Sequence, residues 1–146
     1  NGLGIREATV MQVDVYVAGL YLKEKSSDGR AIAGADKTTQ LVLEFVRDVD
    51  RDKVVDAYKE SFAKSGQQSK IQAEVKKFMR WMGDVKEGDT QTYTWIPGKG
   101  MEVEFNGKKK GVIKSGVFSQ VFFLIWLGDN PPNKGLKRGL LGGECG

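Results

Sequence analysis

Few side chains in this chain are equipped for chemistry, and Arg6 comes first among them. It follows Gly2-Leu3-Gly4-Ile5. Glycines let a backbone turn tightly and approach a ligand, and a guanidinium offers a permanent cation whose forked donors suit a carboxylate or phenolate. The plainer reading is a pair of loop glycines and a solvated arginine. The segment is no dinucleotide fingerprint, because no strand is read before it and no helix after it. Asp14 and Tyr16 share one side of an alternating run with Gln12, opposite Met11, Val13, Val15 and Val17. If both faces of that run are covered, these polar groups must be hydrogen-bonded or line a cavity. If one face is open, they are its wet side, and that is the default expectation.

Other candidates carry less. Lys108-Lys109-Lys110 could join Lys99, Lys134, Lys137 and Arg138 in a phosphate-binding surface. Lysines guarding a solvated edge strand account for the triplet better. Trp81, Trp95 and Trp126 do not interleave with these lysines, so a base-stacking platform is weakly supported and no nucleic-acid partner is expected. Cys145 stands beside Glu144 with no visible cation or helix N-terminus to activate it, which leaves an inert thiol or an accidental dimer contact. The chain has no histidine. That removes serine and cysteine mechanisms built on an imidazole, along with most zinc and haem sites. A single cysteine excludes an internal disulfide framework and a multi-thiolate cluster, so neither metal nor cofactor is expected.

The elements that position these residues belong to one domain, residues 1–146. A chain of this length buries about 70% of its unfolded surface and needs no covalent staple. Charge is mild, 23 − 19 = +4, with 40% hydrophobic and 29% charged residues. No apolar run reaches the roughly 18 residues of a membrane span. The longest, Val117–Leu127, reads as a buried helix. The chain begins at Asn1, as after a removed leader or a trim, and a disulfide-free domain suits cytosol or periplasm.

Thr9–Lys23 reads as a long strand interrupted by a bulge or bend at Gly19, and Ala31–Ala35 as a short helix. Thr38–Val46 reads as a strand with Leu41, Leu43 and Phe45 on one face. Asp50 suits the N-cap of a helix whose apolar stripe is Val54, Tyr58 and Phe62. Ser65-Gly66 ends it, and a second helix runs from about Ser69 to Met82 with Ile71, Val75, Phe78 and Met82 inward. A meander follows: Thr90–Trp95, Met101–Phe105 and Lys109–Ile113, with Asn106-Gly107 as a hairpin turn. The apolar helix and a short basic helix near Lys134–Leu141 complete the chain. Strands, two helices, strands and helix give an α+β fold, a mainly antiparallel sheet with helices on one face.

Gly2-x-Gly4-Ile5-Arg6 followed by Val15-Tyr16-Val17-Ala18-Gly19-Leu20-Tyr21-Leu22 resembles the start of the chalcone isomerase superfamily. Phe45-Val46-Arg47-Asp48-Val49, Gly66-Gln67-Gln68 and Pro97-Gly98-Lys99-Gly100 extend the resemblance in chain order. So do Ile125-Trp126-Leu127-Gly128-Asp129-Asn130-Pro131 and Gly139-Leu140-Leu141-Gly142. The set is most similar to bacterial chalcone-isomerase-like proteins that follow an export signal, which implies a periplasmic or secreted protein. Relatives carry one more strand before the Gly-x-Gly-x-Arg segment, so the resemblance implies a missing first strand here.

It also implies an open-faced sandwich with a ligand cleft between sheet and helices. Plant enzymes of the superfamily cyclise a 2′-hydroxychalcone by attack of a phenolate on an enone, and the arginine that steadies the developing charge corresponds to Arg6. Tyr16 stands where those enzymes have threonine, while Ser69 and Lys76 stand where they have tyrosine and asparagine. Another branch binds fatty acids, with the same arginine and a tyrosine on the carboxylate. The resemblance therefore implies a non-catalytic protein holding a small amphipathic carboxylate through Arg6 and Tyr16, with Ser69 and Lys76 alongside. The alternative is an intramolecular lyase acting on an enone phenol, with Arg6 and Tyr16 as its catalytic pair.

Overall fold

A computed structural model describes residues 2–8 and 13–142, with side chains from residue 15 onward. Cys145 and the side chains of Arg6, Gln12 and Asp14 lie outside the described residues.

Among the described residues, six strands form one antiparallel sheet in chain order. They are β1 (Gly2–Ala8), β2 (Val13–Leu22), β3 (Thr39–Phe45), β4 (Thr90–Ile96), β5 (Gly100–Phe105) and β6 (Lys108–Ile113). Helix α1 (Gly29–Gly34) lies between β2 and β3, and α2 (Arg51–Lys64) and α3 (Gln72–Arg80) lie between β3 and β4. Helices α4 (Gly116–Leu127) and α5 (Lys134–Leu140) follow the sheet. This is the expected α+β architecture. Among the described residues, no helix is long and apolar enough to cross a membrane.

Local chemistry explains most boundaries. Asn106 and Gly107 both take positive φ, 53° and 78°, as a tight hairpin between β5 and β6 requires. Ser115 caps α4 by accepting from the Phe118 N–H at 3.0 Å. Asp50 occupies the N-cap position of α2, yet its side chain makes no capping bond. A carboxylate from a distant loop does that work: Asp84 Oδ1 accepts from the Arg51 N–H at 2.8 Å. The helix expected from Ser69 starts later, because a 3-10 turn at Gln68–Lys70 precedes α3.

Three expectations for the first strands are corrected. The glycine-rich start is no loop: it is strand β1, paired antiparallel with β2 so that Arg6 stands opposite Tyr16. The irregularity falls between Arg6 and Glu7 in β1, while Gly19 keeps regular register with Leu3 and Val42. Glycine there leaves room for a neighbouring ring. A Cβ at position 19 would sit 3.1 Å from the Tyr21 ring, which folds back over the bare backbone.

The third correction concerns which face of β2 is wet. Tyr16, Ala18 and Leu20 are buried, and Val15 and Val17 are only partly so. The polar-looking side is the core side because helices cover it, α5 packing on β1 and β2 and α4 reaching Tyr16 through Trp126. It is continuous with Leu41, Leu43 and Phe45 of β3, Tyr93 of β4 and Val103 of β5. Alternation located two faces correctly; only the helices above the sheet decided which one was dry.

Strand β6 is the sheet's edge, and Lys108, Lys109 and Lys110 are exposed on it. Lys109 and Lys99 both reach Glu102 Oε2, at 3.2 Å and 3.3 Å. The bond from Lys109 holds the Glu102 carboxyl below its ordinary value of 4.5, partial desolvation opposes it, and Lys99 adds to the lowering. A depressed carboxyl pKa contributes stability above the unfolded value, and that contribution is lost as pH falls through the folded one. Thermal midpoints measured across the acid range should therefore show a smaller loss in Glu102→Gln than in the wild type below about pH 4.5.

Candidate functional site

Between the sheet and helices α2 and α4 lies a cleft of about 480 Å³. Tyr16, Leu43 and Phe45 line it from the sheet, Val54 and Tyr58 from α2, and Ile125 and Trp126 from α4. Arg47 and Lys53 stand exposed along the same cleft, with Asp48 and Asp50 beside them. The walls are therefore mostly apolar, and charged groups of both signs stand at the solvent side.

The polar atoms in this apolar layer are few and are hydrogen-bonded. Trp126 Nε1–H donates to the Tyr16 hydroxyl at 2.8 Å, joining α4 to β2. Tyr58 reaches from α2 toward β4, where its hydroxyl lies 3.1 Å from Gln91 Oε1 and 2.9 Å from the Tyr93 hydroxyl. Tyr93 donates to the same Gln91 oxygen at 2.7 Å. Among the described residues, no buried side-chain nitrogen or oxygen lacks a partner. Burial pushes the Tyr93 phenol well above its ordinary range, and the neighbouring Tyr58 hydroxyl pushes it further. Tyr93 thus remains a protonated donor throughout the accessible pH range.

Aromatic packing fixes these groups in place. The Trp126 ring meets Phe122 edge-on at 4.9 Å and Tyr58 at 6.4 Å. Tyr16 meets Phe45 edge-on at 5.5 Å. Such pairs contribute about 0.5–1.5 kcal/mol each beyond their buried area. The arrangement can bind an apolar body and orient a polar head beside Tyr16.

The candidates named from sequence fare differently. Tyr16 is in the cleft wall, and the Arg6 position stands opposite it in the sheet. Ser69 and Lys76 are not brought there. Ser69 is exposed in the 3-10 turn, and Lys76 is exposed on α3. The reason is helical phase: α3 turns Phe78 and Met79 inward, which leaves Lys76 on the solvent side. Sequence reading placed Tyr58 and Trp126 only as apolar packing residues and left Gln91 and Tyr93 unremarked within a strand. One signal was available, since a buried tyrosine or tryptophan requires a partner for its polar tip. Which partner it finds depends on residues 33 or more positions away along the chain.

The family model for chalcone isomerase-like proteins matches residues 1–142. The chain belongs to that family. Among solved structures, this chalcone isomerase-like chain is similar to an Arabidopsis thaliana fatty-acid binding protein, with a TM-score of 0.79 and 19% sequence identity. The match covers 96% of this chain and 84% of that one. At that identity the likeness shows a shared fold. By sequence, no curated protein matches.

The Gln91 cluster makes a direct prediction for this chalcone isomerase-like fold. Gln91→Leu strips the shared acceptor from two buried phenols and should cost about 2–4 kcal/mol of stability by urea denaturation. A loss below about 0.5 kcal/mol would mean that the hydroxyls satisfy one another.

Proposed function

We propose that this protein binds a small amphipathic carboxylate, a fatty acid, in the cleft and does not transform it. The observation that carries the reading is a largely apolar hollow of about 480 Å³ with Tyr16 in its wall. That volume lies within the roughly 300–1,000 Å³ of small-molecule sites. The Arg6 position stands opposite Tyr16 in the ladder, which supports a carboxylate held by the two residues together. The fatty-acid binding protein that shares the fold supports this reading.

Magnitudes divide the work. Burying an acyl chain yields about 0.8 kcal/mol per methylene, so a dozen contribute on the order of 10 kcal/mol before the costs of ordering. A charge-assisted hydrogen bond from Arg6 adds about 1.5–3 kcal/mol. The tail sets affinity and the arginine sets orientation. The binding reading outranks the lyase because a fatty-acid binding protein shares the fold; Ser69 and Lys76 lie outside the cleft lining in either reading.

Titration with dodecanoate, followed by displacement of a fluorescent acyl probe, tests this directly. The wild type should bind, and Arg6→Ala should weaken binding by about 10–100-fold. Failure of the wild type to bind any acyl carboxylate would overturn the proposal. A 2′-hydroxychalcone should lose its absorbance no faster with the protein than in buffer.

A further inference from the structure

We infer that the N-terminal end of α4 forms a second binding site, for a phosphoryl group: inorganic phosphate or a phosphomonoester. The site is independent of the cleft, which meets α4 at its other end, at Ile125 and Trp126.

A hollow of about 730 Å³ opens there. The turn from β4 to β5 borders it through Lys99 and Gly100, and the start of α4 through Gly116, Val117 and Ser119. Lys114, Asp36 and Trp95 also line it. Glycine builds the place. Gly100 takes a φ of 119°, and a Cβ on it would lie 2.7 Å from the Ile113 carbonyl oxygen and 3.0 Å from the Lys114 Cα. The turn therefore lies directly against the connection from β6 to α4, which brings Lys99 and Lys114 to one hollow.

The side chain that points to a ligand is Ser119, only 5% exposed within α4. A serine inside a helix either faces solvent or returns its hydroxyl to the carbonyl one turn back. Ser119 does neither. The Ser115 carbonyl accepts the Ser119 backbone N–H at 3.1 Å, and the Ser119 hydroxyl forms no hydrogen bond with any described residue. Every fully sealed side-chain oxygen among the described residues has a partner, so this one keeps access to the hollow that Ser119 lines. A shielded hydroxyl without a partner is costly, and a bound acceptor removes that cost.

Other donors converge on the same space. The Gly116 and Val117 N–H groups precede the first intrahelical bond of a 12-residue helix, whose positive end favours an anion. Ser115 occupies only the Phe118 N–H. Lys114 is exposed and makes no ion pair or hydrogen bond with a described residue, whereas Lys99 is held by Glu102. Asp36 is the opposing charge, and the Trp95 indole N–H ties down its Oδ1 at 3.0 Å. Two backbone donors, a hydroxyl and a free ammonium exceed what the two oxygens of a carboxylate need, and they suit the three terminal oxygens of a phosphoryl group.

Amide spectra of nitrogen-15-labelled protein, titrated with inorganic phosphate at about pH 7.5 and constant ionic strength, read the site; there the second phosphate proton is largely lost. Gly116 and Val117 should shift saturably, with half-saturation at about 1–10 mM. Ser119→Ala and Lys114→Gln should each weaken binding about three- to tenfold. Lys134→Gln, on α5, should leave it within about twofold. With phosphate bound, two further probes separate the sources. A free phosphomonoester predicts binding of glycerol phosphate without sedimentation on vesicles. A lipid headgroup predicts sedimentation with phosphatidate but not phosphatidylcholine vesicles, lost when Ser119→Ala and Lys114→Gln are combined. Shifts that never saturate, shifts reproduced by chloride at equal ionic strength, or undiminished binding in both single variants overturn the site and leave the cleft untouched. Lys114 is exposed, so Lys114→Gln keeps the test decisive should Ser119→Ala fail to fold.

Discussion

A phenol or indole can be buried in an apolar layer only if its polar tip is hydrogen-bonded, and this requirement organises the interior. The space between sheet and helices is filled chiefly by rings: Tyr16, Phe45, Tyr58, Phe62, Phe78, Tyr93, Phe118, Phe122 and Trp126. Four of these rings carry a donor or acceptor. They are satisfied by bonds that run between elements, from α4 to β2 and from α2 to β4. The polar contacts therefore act as registration points for the helices over the sheet, while the apolar contacts supply most of the stabilisation.

The cleft is a consequence of that arrangement. Between the sheet and helices α2 and α4 a hollow remains beside Tyr16. Its wall is rigid because each ring that forms it is wedged against another, and its polar atoms are aimed by the same bonds that hold the helices. Binding geometry and fold stability thus draw on the same side chains. Such sharing favours a protein that receives a ligand into a preformed site over one that must close around it.

Much of the architecture was legible in the chain. Alternation of Leu41, Leu43 and Phe45 marked β3; Asn106-Gly107 marked the hairpin of the meander; the stripe Val54, Tyr58 and Phe62 marked α2; an all-round apolar run marked α4. These signals are local, since backbone sterics and side-chain period act within a few residues. Less legible were features that depend on what lies across the sheet. Asp50 has the right type for an N-cap, yet Asp84 supplies the bond. Gly19 looked like a bulge and proved to be a seat for the Tyr21 ring. Ser69 and Lys76 stood at the positions a resemblance suggested, but Ser69 is exposed in the 3-10 turn and the phase of α3 leaves Lys76 on the solvent side.

The sequence by itself determined most element types after β1, their order, the α+β class and the family pattern around Arg6 and Tyr16, because each of these follows from local spacing or from a motif. Tertiary structure decided which face of β2 is dry, which tyrosines share an oxygen and which tip the indole of Trp126 meets. Alternation says only that two faces differ. The covering helix makes one of them an interior, and a hydrogen bond between residues 110 positions apart along the chain exists only once that helix has docked.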